Sequence, residues 1–157
     1  MNKIITINKK DILYDVNFIS WKTAKCRIVE AEARAEAQTD EEGRAWFERQ
    51  LDTAIKHIKG KLKWCLIDSD ASEADNAIGD KESQYILNFS FSPNWKGDLE
   101  TLSNNIHRYV VDYILYEWFK MTLPSEMEVY LASSISWEDK VINEARNEEV
   151  KNVFFRL

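Results

Sequence analysis

Apolar residues change their spacing several times along the chain, and each change marks a new element. Residues 3–7, KIITI, are short and β-branched, which predicts a strand, and Asn8 to Asp11 reads as the turn after it. Ile12, Leu13, Val16 and Ile19 then recur at helical spacing in DILYDVNFISWKTAK, with Asp11 placed to cap a short helix. Residues 26–38 are rich in Ala and Glu but make no apolar stripe, so a solvated helix and an extended arm both stay open there. Thr39 with Glu42 fits a capping box. Leu51, Ile55, Ile58, Leu62 and Cys65 follow at steps of four and three, the spacing of a helix that keeps one seam against a partner. Gly60 inside that run costs about 1 kcal/mol relative to Ala and marks a place for the helix to bend or end.

Residues 67–83, IDSDASEADNAIGDKES, have no period and are dense in acid, which predicts an exposed loop. In QYILNFSFS, Tyr85, Leu87, Phe89 and Phe91 alternate against Asn88 and Ser90, the pattern of a half-buried strand. Its backbone needs a partner, and the N-terminal strand is the one expected. Asp98 caps the next helix, which carries RYVVDYILYEWF. From Tyr109 to Phe119 only Asp112 and Glu117 are polar, and they stand about 140° apart around the axis, so they cannot form one wet stripe.

Such a helix must be covered on several sides. One reading is a central core helix; the other is a protein–protein surface with Tyr109, Tyr113, Tyr116, Trp118 and Phe119 as amphipathic anchors, and the two readings can hold together. Pro124 stops the helix, and Ser125 with Glu128 makes a second capping box, so a hairpin partner follows. On that last helix Met127, Tyr130, Leu131, Ile135, Trp137, Val141, Ile142 and Ala145 fall within an arc of about 160°, with Glu138 inside it; a fresh helix start at Ser136 is the alternative. The closing NVFFRL leaves Phe154, Phe155 and Leu157 in need of a cover.

These elements amount to one domain of mainly helical α+β class, a helical bundle with a small sheet built from the N-terminal strand and the strand near residues 84–92. Composition agrees: four Gly and two Pro in 157 residues leave little material for the many turns of an all-β sandwich. With 21 basic against 27 acidic residues, the net charge of -6 argues against a general phosphate-neutralising surface, although charge is uneven along the chain. Residues 1–25 carry five Lys and two Asp, whereas 67–85 carry six acids and one Lys, a contrast that favours attraction between copies. Cys26 and Cys65 are too few for a disulfide framework, which fits a reducing interior. The apolar run in MNKIITINKK falls short of a signal peptide, and no stretch has the length of a membrane span, so the expectation is a protein made in the cytoplasm with no membrane partner.

Candidate chemistry is sparse. His57 and His107 stand in no metal-ligand spacing, and His57 has lysines beside it in IKHIKGK. Asp68 and Asp70 open like a calcium loop, but Glu73 replaces the glycine of the sharp turn and Gly79 replaces the bidentate acid. Lys56, Lys59 and Lys63 share a helix face next to Trp64; a solvated face is the ordinary reading and a DNA-channel lining the functional one. The sequence assigns no catalytic residue, metal ligand or cofactor, and the expectation is a protein that is not an enzyme.

The order of parts (a short strand, DILYDVNFISWKTAK, the acid-capped TDEEGRAWFERQLDTAIKHI, YILNFSFS, an aromatic helix and an amphipathic last helix) resembles small virion proteins of Bacteroidetes phages and prophages, of the head-to-tail connector or adaptor family. The resemblance spans the chain as a pattern of elements without a diagnostic motif. It implies a helical protomer repeated in a ring, commonly of twelve copies, between the capsid portal and the tail or neck proteins of a virion. Non-specific contact with packaged DNA and arms that reach neighbouring copies go with it. Here the arm candidates are residues 1–8, 26–38, 67–83 and 152–157. The alternative is a small phage-encoded binding or regulatory module docking on a host or phage protein.

Overall fold

A computed structural model describes residues 1–26, 41–67 and 84–148. The elements run β1 (Asn2–Asn8), α1 (Lys9–Cys26), α2 (Glu41–Lys61), β2 (Gln84–Ser90), α3 (Leu99–Thr122) and α4 (Pro124–Ala145). This is the mainly helical α+β arrangement expected, with a small antiparallel sheet against a helical layer.

β1 pairs with β2 from Asn2↔Ser90 to Asn8↔Gln84. Period-two alternation buries Ile5, Ile7, Leu87 and Phe89 on the helix side and leaves Ile4 and Ile86 on the outer side. Residues 65–67 join the far edge of β2: Ser90 N–H donates to Cys65 O at 2.8 Å and Ile67 N–H to Asn88 O at 2.9 Å. Residues 2–8, an arm candidate, are thus held in the chain's own sheet. Thr39, most of 26–38, the acidic loop from 68 to 83 and the tail with Phe154, Phe155 and Leu157 lie outside the described residues.

No turn separates β1 from α1. The helix starts at Lys9, and Asn8 Oδ1 accepts the Lys10 N–H at 3.0 Å, so Asn8 does the capping and Asp11 sits in the first turn. The reason is reach: a short amide side chain just before the first turn meets the orphan amide that Asp11, already inside the helix, cannot. On α2 the four-and-three seam is borne out for Leu51, Ile55 and Ile58; Leu62 and Cys65 are buried too, but in the turn beyond the helix end. The helix ends at Lys61, immediately after Gly60. Cys65 donates its thiol to Leu62 O at 3.3 Å, and burial pushes that thiol up to about 11.

α3 is the centre of the molecule. Leu102, Ile106, Tyr109, Val110, Val111, Ile114, Leu115 and Phe119 are buried, and Asp98 caps it by accepting the Thr101 N–H at 2.7 Å. The hairpin into α4 differs from the expected second capping box. Pro124 occupies the first helical position, Leu123 is the N-cap with no side-chain bond, and its N–H returns to Phe119 O at 2.9 Å. Proline's fixed φ suits that position and its missing N–H is no loss there, so Ser125 falls inside the helix, where it cannot cap.

The far end of α4 is fastened to the turn after β2. Trp95 Nε1 donates to Glu144 O at 3.0 Å, Lys96 N–H donates to Asn147 O at 2.7 Å, and the Trp95 ring stacks on Phe91 at 4.1 Å. A side chain at Gly97 would collide with that indole, since a Cβ there falls 2.4 Å from the ring.

α4 is one unbroken helix through Ser136, rotated relative to its apolar arc. Val141 and Ala145 are buried as expected, together with the polar Glu126 and Ser134, while Leu131 and Ile135 are exposed. Side-chain contacts to α3 set the rotation: Tyr130 stacks on Phe119 at 5.1 Å, and Ser133 and Trp137 both hydrogen-bond Asp112. Satisfying the one carboxylate in the middle of α3 outweighs burying the outer edge of the arc.

Candidate functional site

Of the aromatic anchors expected on α3, Tyr109 (2% exposed) and Phe119 (0%) are core residues that no neighbour can touch. Tyr109 lies against His57 at 6.1 Å and Tyr113 at 6.2 Å. The helix is surrounded by its own chain, which is why these rings face inward. Tyr113, Tyr116 and Trp118 are half-buried. Trp118 meets Trp46 edge-on at 5.6 Å, and its buried indole N–H has no hydrogen-bond partner among the described residues. Lys120 lies over Tyr116 at 5.7 Å, so that ring borders solvent.

Lys56, Lys59 and Lys63 are exposed, with Lys63 in the turn beyond the end of α2. Lys61 points elsewhere: it and His57 reach Glu138 of α4 at 3.0 and 2.9 Å. Partial burial works to raise that carboxyl, but the hydrogen bonds from Lys61 and His57 outweigh it and hold the carboxyl below its ordinary range. His57 is therefore part of a clasp between α2 and α4. Arg146 lies over Trp64 at 5.7 Å, giving the lysine turn a further cation.

The most exposed aromatic row was not singled out along the sequence. Tyr14 (68% exposed), Phe18 (49%) and Trp21 (46%) form a stripe along α1, with Tyr14 and Phe18 stacked at 6.4 Å and Lys22 over Phe18. Their spacing of four and three was legible, but it lies opposite the Ile12, Val16 and Ile19 face that pointed to the core. Leu131 and Ile135 make a second exposed apolar strip on α4, and Ile4 with Ile86 a third on the outer face of the sheet.

A polar cleft of about 550 Å³ opens between β1, α1 and α3, lined by Thr6, Asn8, Asp11, Asp15, His107 and Arg108 among others. His107 Nε2 and Asp15 Oδ2 meet there at 2.7 Å, so the second histidine is the partner of a carboxylate 92 positions away. Nothing in the local spacing could have paired them. Arg108, which lines the same cleft, also helps to offset the desolvation that raises the Asp112 carboxyl. The calcium-like Asp68 and Asp70 lie outside the described residues. Among the described residues no helix is long and apolar enough to cross a membrane.

Comparison with known proteins finds no match: no family model, curated protein or solved structure is similar to this chain.

Proposed function

We propose that the chain is a structural virion protein, the repeating subunit of an oligomeric ring that joins a phage capsid portal to the tail, acting in the virion neck and not as an enzyme. The observation that carries this reading is the α1 stripe of Tyr14, Phe18 and Trp21, together with Leu131 and Ile135 on α4. Large apolar and aromatic side chains standing in rows on two helices are the composition of a contact surface, with Tyr and Trp as its usual anchors. A mostly helical protomer with a small sheet suits such a ring, and the exposed Lys56, Lys59 and Lys63 suit a lining that meets packaged DNA without reading its sequence. The portal and the tail or neck proteins are the partners this reading requires besides further copies of the chain.

The polar cleft with its His107–Asp15 pair favours the second reading, a small phage-encoded binding or regulatory module. Negative-stain imaging of the purified protein and of intact virions separates the two. Closed rings, or subunits located at the neck, support the first; a protein that stays monomeric and is missing from virions overturns it.

A further inference from the structure

Among the described residues, the backbone pairing of β1 leaves one edge of the sheet without a partner. Met1 and Phe91 exchange both hydrogen bonds, at 2.7 and 2.9 Å. Bonded pairs alternate in an antiparallel ladder, so with the observed register Lys3↔Phe89, Ile5↔Leu87 and Ile7↔Tyr85 are also bonded pairs. Asn2, Ile4 and Thr6 therefore aim their N–H and C=O groups away from β2. Among the described residues nothing is bonded to those backbone groups of Ile4 and Thr6, and Ile4 is 61% exposed. The other edge of β2 is closed by residues 65–67.

A seven-residue edge strand with no proline and no bulge, whose outward backbone groups no described residue bonds, is a template for another strand. We propose that the strand received is β1 of a second copy of this chain, antiparallel and related by a two-fold axis through Ile5. Ile4 then pairs with Thr6 of the other copy, each such pair exchanging both backbone bonds, Asn2 comes opposite Asn8, whose C=O is already committed to the start of α1, and Ile5 faces its own copy. The full length of β1 is used, and the two sheets become one, ordered β2–β1–β1–β2. On the outer face the exposed Ile4 and Ile86 of both copies gather around the axis.

Charge supports a second copy over an unrelated strand. Lys3 is on the same side of β1 as Ile5 and Ile7, and it has no ion-pair partner among the described residues. The two-fold register sets it opposite Ile7 of the other copy, at the mouth of the cleft lined by Ile7, Asn8, Asp11 and Asp15. Asp15 is engaged by His107, whereas Asp11 has no ion-pair partner among the described residues. Lys3 of each copy thus meets the Asp11 of the other.

The test is sedimentation equilibrium on the full chain from about 1 µM to about 1 mM, a range that covers weak to moderate affinities. Ile4→Pro removes only an outward N–H, and Ile4→Lys places like charges near the axis without touching the backbone; coincident thermal melts with the parent confirm that both fold. A concentration-dependent dimer whose dissociation constant rises at least about tenfold in both variants is the expected result. Lys3→Glu and Asp11→Lys each weaken it, and combining them restores it. A parent protein that is monomeric throughout, a dimer indifferent to Ile4→Pro, or a double variant that is not restored overturns the proposal. Rings that form equally well from Ile4→Pro, with no dimer lost, would sink this pairing and leave the ring reading standing.

Discussion

Ser133 on α4 donates its hydroxyl to Asp112, the one carboxylate in the middle of the apolar α3 helix. Burial pushes the Asp112 carboxyl up, and the bonds from Ser133 and Trp137 with the nearby Arg108 offset only part of that rise. A carboxyl whose folded pKa is raised is more readily protonated in the folded state than in the unfolded one. Its contribution to stability is therefore complete below the ordinary carboxylate range and is lost as pH rises through the folded value. Asp112→Asn keeps an acceptor for Ser133 and removes that loss. Melting temperatures followed from pH 3 to pH 7, about the span over which carboxylates titrate, should move in favour of the Asn variant as pH rises. A difference that does not change with pH would contradict the assignment.

Glu138 predicts the opposite slope. Desolvation opposes its ionisation, but Lys61 and His57 prevail and the carboxyl lies below its ordinary value. Its stabilisation is present above the unfolded carboxylate pKa and disappears as pH falls through the lower folded value. Acid unfolding of Glu138→Gln should accordingly be less steep than that of the parent, and melts below about pH 4, near the ordinary Glu value, should converge. Parallel acid limbs would show that the α2–α4 clasp is not formed.

The rotation of α4 can be read from a pair of substitutions. Phe119→Ala empties a fully buried site against Tyr130 and should cost about 3–5 kcal/mol in chemical denaturation. Ile135→Ser, at a position 54% exposed, should stay within about 0.5 kcal/mol. Under the ring reading, Ile135→Ser and Phe18→Ser should also reduce assembly at unchanged melting temperature; assembly equal to the parent in both removes these faces from the contact surface.

Helix starts give a third contrast. Asp98→Ala removes the acceptor of the Thr101 N–H and should lower the melting temperature, whereas Ser125→Ala, which removes no capping bond from α4, should leave it in place. Equal losses at both positions would restore Ser125 to a capping role.

If the Lys56, Lys59 and Lys63 face meets packaged DNA, those lysines should be protected from acetylation in filled particles and labelled in empty ones. Equal labelling in both would leave the face merely solvated.

Period and capping chemistry were enough for the parts that depend on neighbours in sequence. The β-branched content of β1, the β2 alternation, the buried run from Leu51 to Cys65, the Asp98 cap and the proline-marked break between α3 and α4 are local consequences of side-chain type, so they could be read directly. The sequence also showed that the Tyr109–Phe119 stretch must be covered on several sides. What it could not decide was by what. The tertiary structure buries Tyr109 and Phe119 within the protomer and leaves Tyr14, Phe18, Leu131 and Ile135 outside, although all of these are large apolar or aromatic side chains at helical positions. The reason is energetic: the Asp112 carboxylate requires Ser133 and Trp137, the Trp95 indole requires the Glu144 carbonyl, and these few directional bonds between distant residues set the rotation of α4. The His107–Asp15 pair and the open edge of β1 are likewise products of packing, because they join or leave free groups whose separation in sequence carries no information about their separation in space.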